Sequence, residues 1–283
     1  MATFRCSCHQ ITWGDHLVEA LDDIGSFGYS GTETFGTVVS QFKDRPSEFK
    51  DMLDARELQL SALYGGGPLH DPSTQREAIQ HNLEIVRFLH EVGSHQLVIG
   101  PSRRDGPPST EDLQRLAEST AEIGAAAKDL NITTGLHPHW NTVIQDRDEI
   151  TQFFDLVDTN LVKLALDPAH IAKAGDDPVE VASTYRDILV YMHIKDYVPE
   201  LDTDRPEIPS PEGHAPRIGF FGELGTGIVD LPAILEVARE ADYDGWLTVE
   251  LDVSQTTPRE SLEVNSRYPV SYTHLTLPTI LRV

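Results

Sequence analysis

Four polar side chains, each closing a short apolar run, constrain this chain more than any other feature. They are His137 in GLHPH, Asp167 in VKLALDPAH, His193 in ILVYMHIKD and Glu250 in GWLTVELD. A short, continuous apolar run reads as a strand buried on both faces, and such strands belong to parallel sheets. A polar group directly after the run lies at the strand's C-terminal end. In a (β/α)8 barrel all those ends open on one face, where such enzymes carry out their chemistry. Imidazole nitrogen and carboxylate oxygen together suit a divalent metal such as Mn, Co, Fe or Zn. His137, Asp167, His193 and Glu250 are therefore candidate ligands of one divalent ion.

The rest of the chain supplies the staves of such a barrel. Strands are predicted over 4–8, 32–35, 58–64, 96–100, 132–137, 162–167, 188–194 and 246–251. Helices are predicted over 17–24, 46–55, 73–92, 110–129, 147–157, 178–186 and 231–241, with an eighth starting near Pro258. Pro72-Ser73, Ser109-Thr110-Glu111 and Asp230 supply start signals. Strict alternation implies a parallel sheet with outer helices, and eight units imply closure into a TIM barrel. An open doubly wound sheet is the weaker alternative, because no Gly-rich phosphate fingerprint follows the first strand.

Residues 1–269 are read as the barrel. The remainder, VSYTHLTLPTILRV over 270–283, has no helical period and resembles a translated library adaptor, so it is set aside from the fold. On that reading the eighth helix is truncated and His274 is no ligand. The long Pro- and Gly-rich excursion over 198–227 is expected to act as a lid over the barrel mouth.

Composition narrows the partners. The chain has 46 acidic against 22 basic residues, a formal charge of −24, which disfavours nucleic acid. Arg outnumbers Lys 16 to 6, and the surface is either ordinarily acidic or adapted to high salt. No run approaches the ~20 apolar residues of a membrane span. The first residues, MATFRCSCHQ, show neither a basic leader nor an apolar core, so a cytoplasmic location is expected. Cys6 and Cys8, two apart in one strand, are expected to pack inside the barrel rather than form a disulfide. A homo-oligomer stays open.

Several segments together resemble a known family. They are LHPHWNTVIQDRDEI over 136–150, LALDPAH over 164–170, HIKD over 193–196, GELGTGIVD over 222–230 and YDGWLTVELD over 243–252. In this order and spacing they look like the sugar phosphate isomerase/epimerase superfamily of xylose isomerase-like barrels, and most like its inosose dehydratase-like branch. The resemblance implies one divalent metal held by Asp167, His193 and Glu250, with His137 completing the set. It also implies a small polyol or keto-sugar substrate. Epimerases of that superfamily usually carry Glu where His137 stands, so exchange of a proton between two carboxylates is placed in doubt.

The chemistry open to such a site is enolisation of a polyhydroxylated ketone. A metal polarises the carbonyl and a nearby base removes the α-proton. Loss of a β-hydroxyl then gives dehydration, which is first choice with an inosose-type substrate. Return of the proton gives epimerisation or aldose–ketose isomerisation. A sugar-binding or inactive barrel is the remote alternative, and an endonuclease lacks the early-strand His ligands it needs. Candidate proton carriers are His139, His170, Lys195 and Glu250, with the two histidines ahead because a metal-bound carboxylate is a poorer base. Glu33, Trp13 and Arg103 are candidate substrate contacts. Each has a plainer reading: Glu33 binding a backbone N–H, Trp13 packing, and Arg103 solvated.

Overall fold

Eight of the ten strands in this computed structural model close into one parallel barrel, and residues 4–202 and 219–273 are described. The strands in chain order are β1 (Arg5–His9), β2 (Gly31–Phe35), β3 (Gln59–Gly67), β4 (Gln96–Pro101), β5 (Thr133–Leu136), β6 (Val162–Leu166), β7 (Leu189–Ile194), β8 (Asp196–Tyr197), β9 (Phe221–Gly222) and β10 (Trp246–Val249). β8 and β9 form a separate antiparallel ribbon. β10 closes the ring: Trp246 pairs with Arg5 on one side and with Tyr191 on the other.

The outer layer consists of α1 (Leu17–Ser26), α2 (Val38–Phe42), α3 (Pro46–Asp54), α4 (Gln75–Val92), α5 (Thr110–Asp129), α6 (Arg147–Leu156), α7 (Pro168–Ala174), α8 (Pro178–Thr184), α9 (Leu231–Glu240) and α10 (Pro258–Thr273). α5 shows why these segments are helical. Leu113, Leu116, Ala117, Thr120, Ile123, Gly124 and Ala127 recur at helical spacing and form its buried face. A Ser109–Asp112 capping box starts it, satisfying N–H groups that have no partner within the helix. Gly124 lets the helix approach Leu161, whose carbonyl a Cβ would meet at 2.5 Å.

Two expectations change, and a third falls largely outside the described residues. α10 runs to Thr273, past Pro269, so the eighth helix is not the stub anticipated; the rest of the tail, including His274, lies outside the described residues. Cys6 and Cys8 are free and buried, but they face the helix layer, because the alternate residues Ser7 and His9 point into the barrel. Of the excursion, 203–218 lies outside the described residues, with Pro206, Pro209, Pro211, His214 and Pro216. Among the described residues no helix is long and apolar enough to cross a membrane.

Candidate active site

The four strand-end side chains meet at the mouth of the barrel, each no more than 6% exposed. Asp167 is placed by its own helix. As N-cap of α7, its Oδ1 accepts from the backbone N–H of Ala169 at 2.8 Å and of His170 at 3.2 Å. Its Oδ2 is left without a hydrogen bond. His193 donates from Nε2 to Glu33 Oε2 at 2.7 Å. Its Nδ1 lies 2.8 Å from Glu250 Oε2 and 3.8 Å from Asp167 Oδ2.

His137 Nδ1, Asp167 Oδ2, His193 Nδ1 and Glu250 Oε2 are all buried and make no aligned hydrogen bond. Buried polar atoms are nearly always satisfied. Four exceptions, one from each candidate ligand, fit a common partner that accepts lone pairs. Asp167, His193 and Glu250 offer ligand atoms within 4.8 Å of one another, and so do His137, Asp167 and His170. Two nitrogens and two carboxylate oxygens fit a divalent cation.

Charge points the same way. Asp167, Glu250 and Asp252 face one ammonium, that of Lys195, which lies 2.9 Å from Asp252, 3.3 Å from Glu250 and 3.5 Å from Asp167, and Glu33 lies behind them against His193. Burial opposes the Lys195 charge, but Asp252, Glu250 and Asp167 outweigh it and hold the ammonium protonated. Burial likewise opposes a charge on His193, and Glu250 and Glu33 prevail, raising it well above the usual imidazole range. Negative charge thus exceeds what lysine alone balances.

Beside this cluster the His139 and His170 rings lie against each other, centroids 3.6 Å apart and planes tilted by 33°. His139 Nδ1 lies 2.7 Å from the Trp140 carbonyl, which can only accept, so the proton is on Nδ1 and Nε2 carries the lone pair. Burial, then the Lys195 charge, pushes His139 down to about 4. His170 Nε2 accepts from Lys195 at 3.3 Å, which places its own proton on Nδ1. Burial, His139 and Lys195 hold it well below the usual range.

A family model described as a xylose isomerase-like TIM barrel matches residues 21–267. The chain belongs to that family. An inosose dehydratase of Geobacillus kaustophilus (strain HTA426) is 30% identical over 274 residues, 88% of this chain and 87% of its own. An inosose dehydratase of Lacticaseibacillus casei is 27% identical over 250 residues, 83% of this chain and 81% of its own. A crystal structure of IOLI protein with a binding zinc atom has a TM-score of 0.75 at 16% identity, covering 95% of this chain and 97% of that one.

In this xylose isomerase-like barrel the other predicted contacts divide. Glu33 is fully buried beneath His193. Trp13 is in the core instead of the mouth, its indole N–H donating to Asp23 on α1 at 3.0 Å. Arg103 is exposed on the loop after β4, where its backbone bridges to Thr142; its neighbour Arg104 pairs with Glu149. The glycine-rich GELGTG segment wraps an anion of the chain's own. Asp196 accepts from the N–H of Gly225 at 3.0 Å, Gly227 at 2.9 Å and Val229 at 3.1 Å.

Sequence reasoning missed two aromatic walls. The Tyr64 ring lies 5.4 Å from that of His137 and 6.4 Å from that of His193. Its hydroxyl occupies the space a Cβ at residue 100 would need, so Gly100 is required there. Phe221, on the β8–β9 ribbon, lies 4.8 Å from His170 and under the Lys195 ammonium at 4.5 Å. An aromatic at a strand end reads as core, and the FF of FFGELG gave no sign of facing the site.

Proposed function

We propose that the chain is a metal-dependent lyase that removes water from an inosose-type polyhydroxylated ketone after abstracting the proton α to its carbonyl. The observation that carries this reading is the four buried, convergent ligand atoms that make no aligned hydrogen bond, beside a neutral imidazole with a free lone pair. Relatives named inosose dehydratase at 27–30% identity support the substrate class.

A divalent ion held by His137, Asp167, His193 and Glu250 would supply positive charge against the ketone oxygen as the α-proton leaves. His139 Nε2 accepts that proton, since it is neutral at ordinary pH and its other nitrogen is fixed by Trp140. The C–H electron pair then forms the carbon–carbon double bond as the β C–O bond breaks. His139, now protonated on Nε2, is the candidate acid that returns this proton to the departing hydroxyl, which leaves as water, while neutral His170 beside it offers its Nδ1–H as a hydrogen bond only. Lys195 is held too firmly charged to shuttle protons, and instead stabilises negative charge through Glu250 and Asp167. Glu250, kept ionised by His193 and Lys195 against the effect of burial, suits a ligand better than a base. His137 disfavours the epimerase reading, which needs a carboxylate in its place.

Proton NMR in D2O tests the proposal. Keto-inositols incubated with protein and Mn²⁺ or Co²⁺ should lose the α-proton signal and water, and EDTA should stop both. A folded, metal-loaded protein that catalyses no exchange would refute it.

A further inference from the structure

Beneath the candidate ligands one side of the barrel interior is polar, beside an apolar cluster of Ala62, Val98, Ala165 and Trp246, where such interiors are usually filled by Val, Ile and Leu throughout. Ser7, Glu33, Ser61, Tyr191 and Thr248, from five different strands, are each 1% exposed or less. The Tyr191 hydroxyl lies 3.1 Å from Glu33 Oε2, 2.9 Å from Ser61 Oγ and 2.6 Å from Thr248 Oγ1. The proton directions follow. A carboxylate only accepts, so Tyr191 gives its single proton to Glu33. Ser61 and Thr248 must then donate to Tyr191, and Ser7 to Thr248. The same Glu33 oxygen also receives the His193 Nε2 proton at 2.7 Å. Every proton in the stack points towards one carboxylate.

We propose that Glu33 makes no contact with substrate and is instead the positioning residue of the metal centre. It fixes the His193 ring through its Nε2 proton and so aims Nδ1, which must shed its proton to bind a metal, at Asp167 and Glu250. Tyr191 is the positioning residue that holds Glu33. Both assignments rest on the metal reading above. A buried polar array of this kind is costly unless each group is used, and here each bond ends on the oxygen that orients the ligand. Histidine ligands commonly give their second N–H to a carboxylate, and losing that partner weakens metal binding by about 10–100-fold.

Co²⁺ titration of the metal-free full-length chain tests this, reading the dissociation constant by chelator competition and the visible ligand-field spectrum. Glu33→Ala should weaken Co²⁺ by about 10–100-fold and change the spectrum. Glu33→Gln keeps an acceptor oxygen and should recover most of the loss. Tyr191→Phe, with its ring intact, should lie between Glu33→Gln and Glu33→Ala. In Zn²⁺-loaded protein, ¹⁵N NMR should show a slowly exchanging His193 Nε2 proton that Glu33→Ala removes. If Glu33→Ala does not fold, the Glu33→Gln and Tyr191→Phe titrations decide, and wild-type affinity and spectrum in both overturn the proposal. Unchanged Co²⁺ binding with a raised KM would return Glu33 to substrate contact. A wild-type chain that binds no Co²⁺ would overturn the metal reading and this proposal together; variants that bind as tightly as a binding wild type overturn this one alone.

Discussion

Asp167 divides its two oxygens between folding and chemistry. Oδ1 caps α7 through two backbone N–H groups, while Oδ2 faces His193 and Lys195. The two roles are separable. Asp167→Asn keeps an oxygen for the cap, so metal-free thermal stability should stay near wild type while Co²⁺ binding is lost. Asp167→Ala removes the cap as well and should cost a further ~0.5–2 kcal/mol, read by denaturant unfolding in EDTA. The paired histidines make a second prediction. His139→Ala and His170→Ala should each lower turnover by about 10²–10⁴-fold. For His139→Ala, Co²⁺ affinity should change little, because none of its ring atoms belongs to either ligand group. Full turnover in both variants would remove these residues from the mechanism.

Among the elements, the β8–β9 ribbon and the loop after it depend on Asp196. Three backbone N–H groups end on its carboxylate, and Asp196→Ala would leave them without an acceptor. Each such loss costs about 1–3 kcal/mol when the group stays buried. Hydrogen exchange over 224–229 should therefore quicken, and KM should rise more than kcat falls, because Phe221 on the ribbon borders His170. Unchanged exchange would show that the loop holds itself. The same scale shows what the sequence could tell. The eight barrel strands were legible because runs such as VKLAL and ILVYMHI leave no polar face, and each was placed to within a few residues. α7 was not: Asp-Pro reads as a turn, whereas here Asp167 caps and Pro168 opens a helix. The convergence of His137, Asp167, His193 and Glu250 at the barrel mouth was legible because each closes an apolar strand, and such ends meet on one face. The placements of Trp13 and Glu33 were not legible, because strand position alone does not say whether a side chain at the rim turns up to the mouth, down into the barrel or out to a helix.

For the molecule as a whole, charge governs how it responds to solution. His9, His137, His139 and His170 are all held neutral by burial first. A depressed imidazole takes up its proton more readily in the unfolded chain, so folding weakens as pH drops below about 6.5. The window for His139 extends down to about 4. His193 has the opposite sign, but its contribution is already complete below about 6.5. Metal-free protein should therefore lose stability between pH 6.5 and 4, and His139→Gln should recover roughly 2 kcal/mol of it in urea unfolding at pH 4.5. A flat profile would contradict the burial of these rings. The formal charge of −24 adds a salt prediction. Raising KCl from about 0.1 to 1 M shortens the screening length from about 10 to 3 Å, and Tm should rise by a few degrees. A Tm that falls instead would mean that attractive surface pairs outweigh the net repulsion.

The order of the strands bears on how such a protein matures. Candidate ligands arrive along the chain at 137, 167, 193 and 250, and the strand just before the last one, β10, is also the stave that joins β7 to β1. A chain still on the ribosome short of β10 has an open cylinder and an incomplete coordination set. On the metal reading proposed above, sealing the ring and completing the ion site are one event in biosynthesis, so cells starved of metal would accumulate closed, loadable barrels rather than half-built ones.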